Sequence, residues 1–112
     1  MASDFAKQKA WSRLRGTVKK SVLYVTVPGG AYRTIKSPGK VMLNSISVHP
    51  TDDCVLEARD AYVEFPLFVV YLAAGNTWSL DPAQTDGTLS LILRNKTSMQ
   101  MSAKLEIDWT IT

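Results

Sequence analysis

The sequence contains one cysteine, Cys54, and one histidine, His49, among 112 residues. Within a single chain this excludes a disulfide framework and a Cys/His zinc site. No apolar run approaches the ~18 residues needed to span a bilayer as a helix. The N-terminus also lacks the apolar stretch and small-residue cleavage site of a secretion signal. No glycine-rich phosphate cradle is present, because Pro28-Gly29-Gly30 follows an apparent strand but opens no helix. A Gly-x-Ser-x-Gly nucleophile elbow is missing too. A lone thiol suits a reducing compartment, or a particle assembled inside a cell, and Cys54 reads as a small hydrophobe within a strand.

Acidic residues are scarce in the first third of the chain. Up to Lys40 there are nine basic residues and one acidic residue, Asp4, a net of +8. From Val41 onward four basic residues face nine acidic ones, a net of −5. The overall charge of +3 therefore conceals a basic front end on an acidic body. A length of 112 residues suits one domain, and 46% hydrophobic residues suffice for a modest core.

Ser3 to Arg15 reads as a helix, with Ser3 as its cap and Asp4 in the first turn. At ~100° per residue, Ala10, Trp11, Leu14 and Val18 share one sector, with Lys9, Arg13, Arg15, Lys19 and Lys20 on the other side. Gly16 and the β-branched pair Thr17-Val18 end the helix, which gives a basic amphipathic arm over residues 1–20.

Strand signals fill residues 21–112. The predicted strands are Ser21 to Val27, Tyr32 to Lys36, Lys40 to His49, Cys54 to Arg59, Tyr62 to Phe65, Leu67 to Ala73 and Thr77 to Leu80. Turn signals such as Pro28-Gly29-Gly30 and Ser37-Pro38-Gly39 separate them. From Met99 to Thr112 every odd residue is apolar and every even one polar. Leu89, Leu91 and Leu93 continue the odd set, so a hairpin pairing Leu93 with Met99 and Leu91 with Met101 is expected. The fold class predicted is all-β, an antiparallel, jelly-roll-like β-sandwich with an N-terminal amphipathic helical arm.

Few residues carry a chemical signal. His49 is the sole base available to a serine or threonine and reads as a loop histidine before Pro50. Glu106 and Asp108 share one strand face, which suits solvation better than glycoside chemistry. Asp52-Asp53 and Asp81/Asp86 lack the dense oxygen spacing of a calcium loop. Asn95-Lys96-Thr97 matches a glycosylation acceptor and reads as a turn. Trp78 and Trp109 read as core rather than sugar platforms. No metal and no cofactor is implied, and an enzyme is the least favoured class.

An amphipathic segment of ~20 residues is not stable alone, so the Trp11/Leu14/Val18 stripe must dock on its own body or on a neighbour. Lys7, Lys9, Arg13, Arg15, Lys19 and Lys20 steer that docking toward an acidic surface. Identical subunits supply both halves of such a contact, which favours a homo-oligomer, a trimer or pentamer. Direct nucleic-acid binding is disfavoured by the acidic body and membrane binding by the short apolar sector.

The strings Tyr24-Val25-Thr26-Val27-Pro28-Gly29-Gly30, Val41 to Val48, Leu72 to Leu80 and Gly87 to Ile92 resemble small β-sandwich accessory proteins of tailed-phage virions. Capsid decoration (cement) proteins and head fibres are of this kind. The resemblance covers residues 22–112 and lies in strand and turn rhythm. It implies a non-enzymatic virion protein, assembled in the host cytoplasm, whose partner is the major capsid protein or another virion protein. The alternative is a ligand-binding sandwich for glycan or single-stranded nucleic acid.

Overall fold

A computed structural model describes residues 17–80 and 85–111. It is all-β and antiparallel, with seven strands: β1 (Thr17–Val27), β2 (Tyr32–Pro50), β3 (Cys54–Asp60), β4 (Phe68–Leu72), β5 (Trp78–Leu80), β6 (Thr85–Asn95) and β7 (Met101–Ile111). The hydrogen-bonded order is β1-β7-β2-β6-β3-β4, and β5 pairs with β2.

β2 makes this one continuous sheet into a sandwich-like fold. Its first part, from Tyr32 to Leu43, pairs with β6, whereas Val41 to Pro50 pairs with β7. Near its C-terminal end β2 also takes β5 along Ile46 to Val48. The strand thus leaves one layer (β2, β6, β3, β4) and enters the other (β1, β7, β2, β5). Two irregularities let it turn. The pairing with β6 slips between Lys36 and Lys40, and the pairing with β7 slips between Leu43 and Ser45. At the first, Gly39 has φ +92°, the left-handed region open to glycine. There the Ser37 hydroxyl donates to Gly39 O at 2.6 Å and accepts from Leu89 N–H at 2.9 Å. Ser37-Pro38-Gly39, expected as a turn between two strands, is therefore a bulge within one.

The two layers close on one apolar cluster. Leu56, Leu89, Leu91 and Leu93 from one layer and Met101, Leu105, Ile107, Val27 and Val48 from the other are buried in it. Burial of each such side chain contributes about 1.5–3 kcal/mol relative to exposure. Trp109 is buried and Trp78 packs on the cluster's edge, with its ring 6.1 Å from Phe68. Both tryptophans are core residues, as the sequence suggests.

The expected hairpin of the last two strands does not form. β6 pairs with β2 and β3, while β7 pairs with β1 and β2. Their odd residues share the core by facing it from opposite layers. Residues 96–100 form an arch between layers, pinned by Asn95. Its side-chain amide donates to the carbonyls of Val27, Pro28 and Met99 at 3.1, 3.1 and 2.6 Å, and its Oδ1 accepts from Thr97 N–H at 2.8 Å. Gly29 packs against this arch so closely that a methyl group there would collide with the Ser98 carbonyl. Residues 62–65, expected as a strand, form the loop between β3 and β4.

The arm expected over residues 1–20 falls mainly outside the described residues, including the helix from Ser3 to Arg15. Its last part is not helical. Thr17 to Lys20 already belongs to β1, in register with Ile111 to Asp108 of β7. Two β-branched residues beside a strand that offers free backbone partners explain the change.

Candidate binding surfaces

Of the residues singled out for partner binding, Lys7, Lys9, Trp11, Arg13, Leu14 and Arg15 lie outside the described residues. Val18, Lys19 and Lys20 are strand residues, all exposed. Strand geometry sends alternate side chains to opposite faces, so Val18 and Lys20 share the outer face and Lys19 takes the other parity. A helical stripe cannot include Val18, which is 54% exposed and stands opposite Thr110.

The outer face of the layer that contains β1 is polar. Cross-strand registers set Lys20, Asp108 and Ser45 in one row and Val22, Glu106, Ser47 and Ser79 in the next. Tyr24, Lys104 and His49 make a third row. Lys104 Nζ lies 3.0 Å from Glu106 Oε1, and this hydrogen bond holds the Glu106 carboxyl below the usual range and the Lys104 ammonium above its own. Asn44, the extra residue at the second irregularity of β2, donates to Asp108 Oδ1 at 3.2 Å and to Thr110 Oγ1 at 3.0 Å. Between the first two rows runs a groove of about 200 Å³, lined by Lys20, Val22, Ser45, Ser47, Glu106 and Asp108. Short serine side chains on β2 leave this space beside the longer ones of β1 and β7.

His49 stands in β2, not in a loop. Its Nδ1 shares a 2.8 Å hydrogen bond with the Thr77 hydroxyl, and its Nε2 is 4.0 Å from Glu106 Oε1. Hydroxyl, imidazole and carboxylate thus follow in the order of a catalytic triad, but 4.0 Å is beyond hydrogen-bond reach. The imidazole and carboxylate are 37% and 46% exposed on an open sheet face, with no wall among the described residues to exclude water.

The outer face of the other layer sets rings and aliphatic side chains around one ion cluster. Tyr32, Arg94, Val55 and Tyr71 form one row, and Thr34, Ile92, Glu57 and Val69 the next. Arg94 stacks over the Tyr32 ring at 5.1 Å. Glu57 is buried between Arg59, which donates to it through Nε at 2.9 Å and Nη2 at 3.2 Å, and Arg94 at 3.7 Å. The Arg59 hydrogen bonds hold its carboxyl below the usual range. Beside this face, the β3–β4 loop exposes Tyr62 (88%) and Phe65 (73%), followed by Val69 (45%) and Tyr71 (79%) on β4. The strand expected over Tyr62 to Phe65 would not create this surface; the loop that forms there does. The signal was present, because four apolar residues surround a single glutamate, Glu64, in a stretch broken by Pro66.

Cys54 is buried, and desolvation, reinforced by Asp53 and Asp52, pushes its thiol up to about 11. It is an unreactive core residue. Asn95 is buried with its amide fully used, so Asn95-Lys96-Thr97 is the keystone of the arch. Among the described residues no group of three His, Cys, Asp or Glu side chains is arranged to hold a metal ion.

No protein-family model and no curated protein matches the sequence. The fold is similar to the crystal structure of the Yersinia pseudotuberculosis-derived mitogen, with a TM-score of 0.55, 14% identity, and coverage of 86% of this chain and 88% of that one. It is similar as well to the solution NMR structure of a de novo designed double-stranded β-helix, with a TM-score of 0.51, 15% identity, and coverage of 78% of this chain and 97% of that one. At such identities the likeness is one of fold, an all-β antiparallel sandwich.

Proposed function

We propose that this protein is a non-enzymatic structural subunit that acts by binding, a capsid decoration protein of a virion. The observation that carries the binding role is the exposed run Tyr62, Val63, Phe65, Leu67, Val69 and Tyr71 along the β3–β4 loop and β4. The described residues close their core without this surface, and contiguous apolar patches mark interaction sites. The jelly-roll reading of the sandwich rests on β2 passing from one layer to the other and on the likeness to a double-stranded β-helix.

In this proposal the apolar surface meets a capsid protein or a second copy within a homo-oligomer. The basic residues Lys7, Lys9, Arg13 and Arg15, with Trp11 and Leu14, form the anchor. Because β1 begins at Thr17, the test removes residues 1–16 only. The truncated protein is expected to keep its β-sheet circular dichroism and to be lost from particles purified from the natural source. Normal incorporation would overturn the anchor.

A further inference from the structure

We propose a second site, independent of the assembly role: the groove between β1, β7 and the C-terminal part of β2 binds a neutral saccharide. Donors and acceptors converge there. Lys20 and Ser45 contribute an ammonium and a hydroxyl with no hydrogen-bond partner among the described residues. Glu106 and Asp108 keep acceptor lone pairs beyond those used by Lys104 and Asn44. Ser47 and Ser79, 3.1 Å apart, add adjacent hydroxyls. A sugar ring presents hydroxyls that both donate and accept, and it needs this mixture. An alkyl ligand would strand the polar groups and lose their solvation.

Charge narrows the class. Within the groove and its rim, Lys20 and Lys104 balance Glu106 and Asp108, so the site is neutral as a whole. A phosphate-bearing ligand would meet two carboxylates on the floor strand. A bare metal ion would have to displace Lys104 and Asn44 from those carboxylates. The apolar side of a sugar ring has partners as well. Val22 lines the groove, and the Tyr24 ring, 77% exposed, stands two residues further along the same face of β1. Aromatic and aliphatic surface beside polar groups is the usual division of labour in a small-molecule site.

The isotope-labelled 112-residue chain, titrated with malto-, cello-, manno- and chito-hexaose to ~10 mM, tests this by backbone amide NMR, a range that nearly saturates any site with a Kd of ~1 mM or tighter. Saturable shifts with at least one hexaose, confined to residues 20–24, 44–47 and 104–108, are expected. Ser47→Phe fills the groove from the sheet surface and should weaken that binding at least tenfold. Lys20→Ala, a change at an exposed side chain, should weaken it several-fold and serves if the phenylalanine variant fails to fold. Absence of shifts with all four sugars, shifts elsewhere, or unchanged affinity in the folded variants would overturn the proposal. So would tighter binding of a thymidine oligonucleotide at the same residues.

Discussion

Glu57 shows how a single charge is kept on the outside of a sheet. Its neighbours across the strands, Ile92 and Val69, are apolar, and burial there disfavours a carboxylate. Arg59 and Arg94 offset that cost, and the Arg59 hydrogen bonds dominate, so the folded-state pKa falls below the ordinary value of about 4.3. A depressed carboxyl pKa contributes stability that is complete above the unfolded value and lost as pH falls through the folded one. Glu57→Gln should therefore cost on the order of 1 kcal/mol at neutral pH, because Arg59 and Arg94 are partly solvated. The gap from the unmodified protein should close as denaturation is repeated at pH values below about 4. A gap that is constant with pH would show that the carboxylate's charge contributes nothing. Cys54 is the opposite case at this scale, since burial and two aspartates both disfavour its thiolate.

At the scale of elements, the connection between β6 and β7 decides the topology. Alternation told which residues of Leu89 to Leu93 and Met101 to Trp109 are buried, but it fails at both ends of the stretch from Met99 to Thr112, where Met99 is exposed in the arch and Thr110 is buried. It did not tell whether the two strands are neighbours, since residues on one buried face pack equally well beside each other or across a core. Asn95 settles it with an amide that ties the arch to the β1–β2 turn at Val27 and Pro28. Asn95→Ala removes the amide shared by the Val27, Pro28 and Met99 carbonyls, two of which keep Ala31 N–H or the Thr97 hydroxyl, and removes the acceptor of Thr97 N–H, which should cost about 1–3 kcal/mol in urea denaturation. A loss of less than about 0.5 kcal/mol, the range of ordinary surface substitutions, would mean the arch is held by its backbone alone. The same logic explains Ser37-Pro38-Gly39. Proline and glycine there signalled a break in pairing, but whether the break is a turn or a bulge depends on whether β6 resumes pairing beyond it, as it does from Lys40 to Leu43.

On the scale of the molecule, the two outer faces differ in emphasis: serine hydroxyls and a lysine–carboxylate network beside Val22 and Tyr24 on one, exposed rings and aliphatic side chains around the Glu57–Arg59–Arg94 cluster on the other. Tyr62 and Phe65 project from the β3–β4 loop with little packing on the core. Tyr62→Ser combined with Phe65→Ser should shift unfolding by less than about 0.5 kcal/mol, since neither side chain is buried. The same variant should lower the sedimentation coefficient of any self-associated species. An equal degree of association in the variant would exclude this loop from subunit contacts.

The sequence by itself determined the all-β class, most strand positions and the members of the core, because period-two alternation and turn residues are local properties. It also made Trp109 and Cys54 interior, set Trp78 against the core's edge and kept Glu106 and Asp108 on the solvated face. Tertiary structure decided what local pattern cannot encode: that β2 serves both layers, that β6 and β7 face each other across the core, and that Thr17 to Lys20 continues a strand. Pairing partners compete for the same backbone groups, and that competition is resolved only when all seven strands are in place. The groove beside Lys20 and Ser47 arises the same way, from short and long side chains brought into register across three strands distant in sequence.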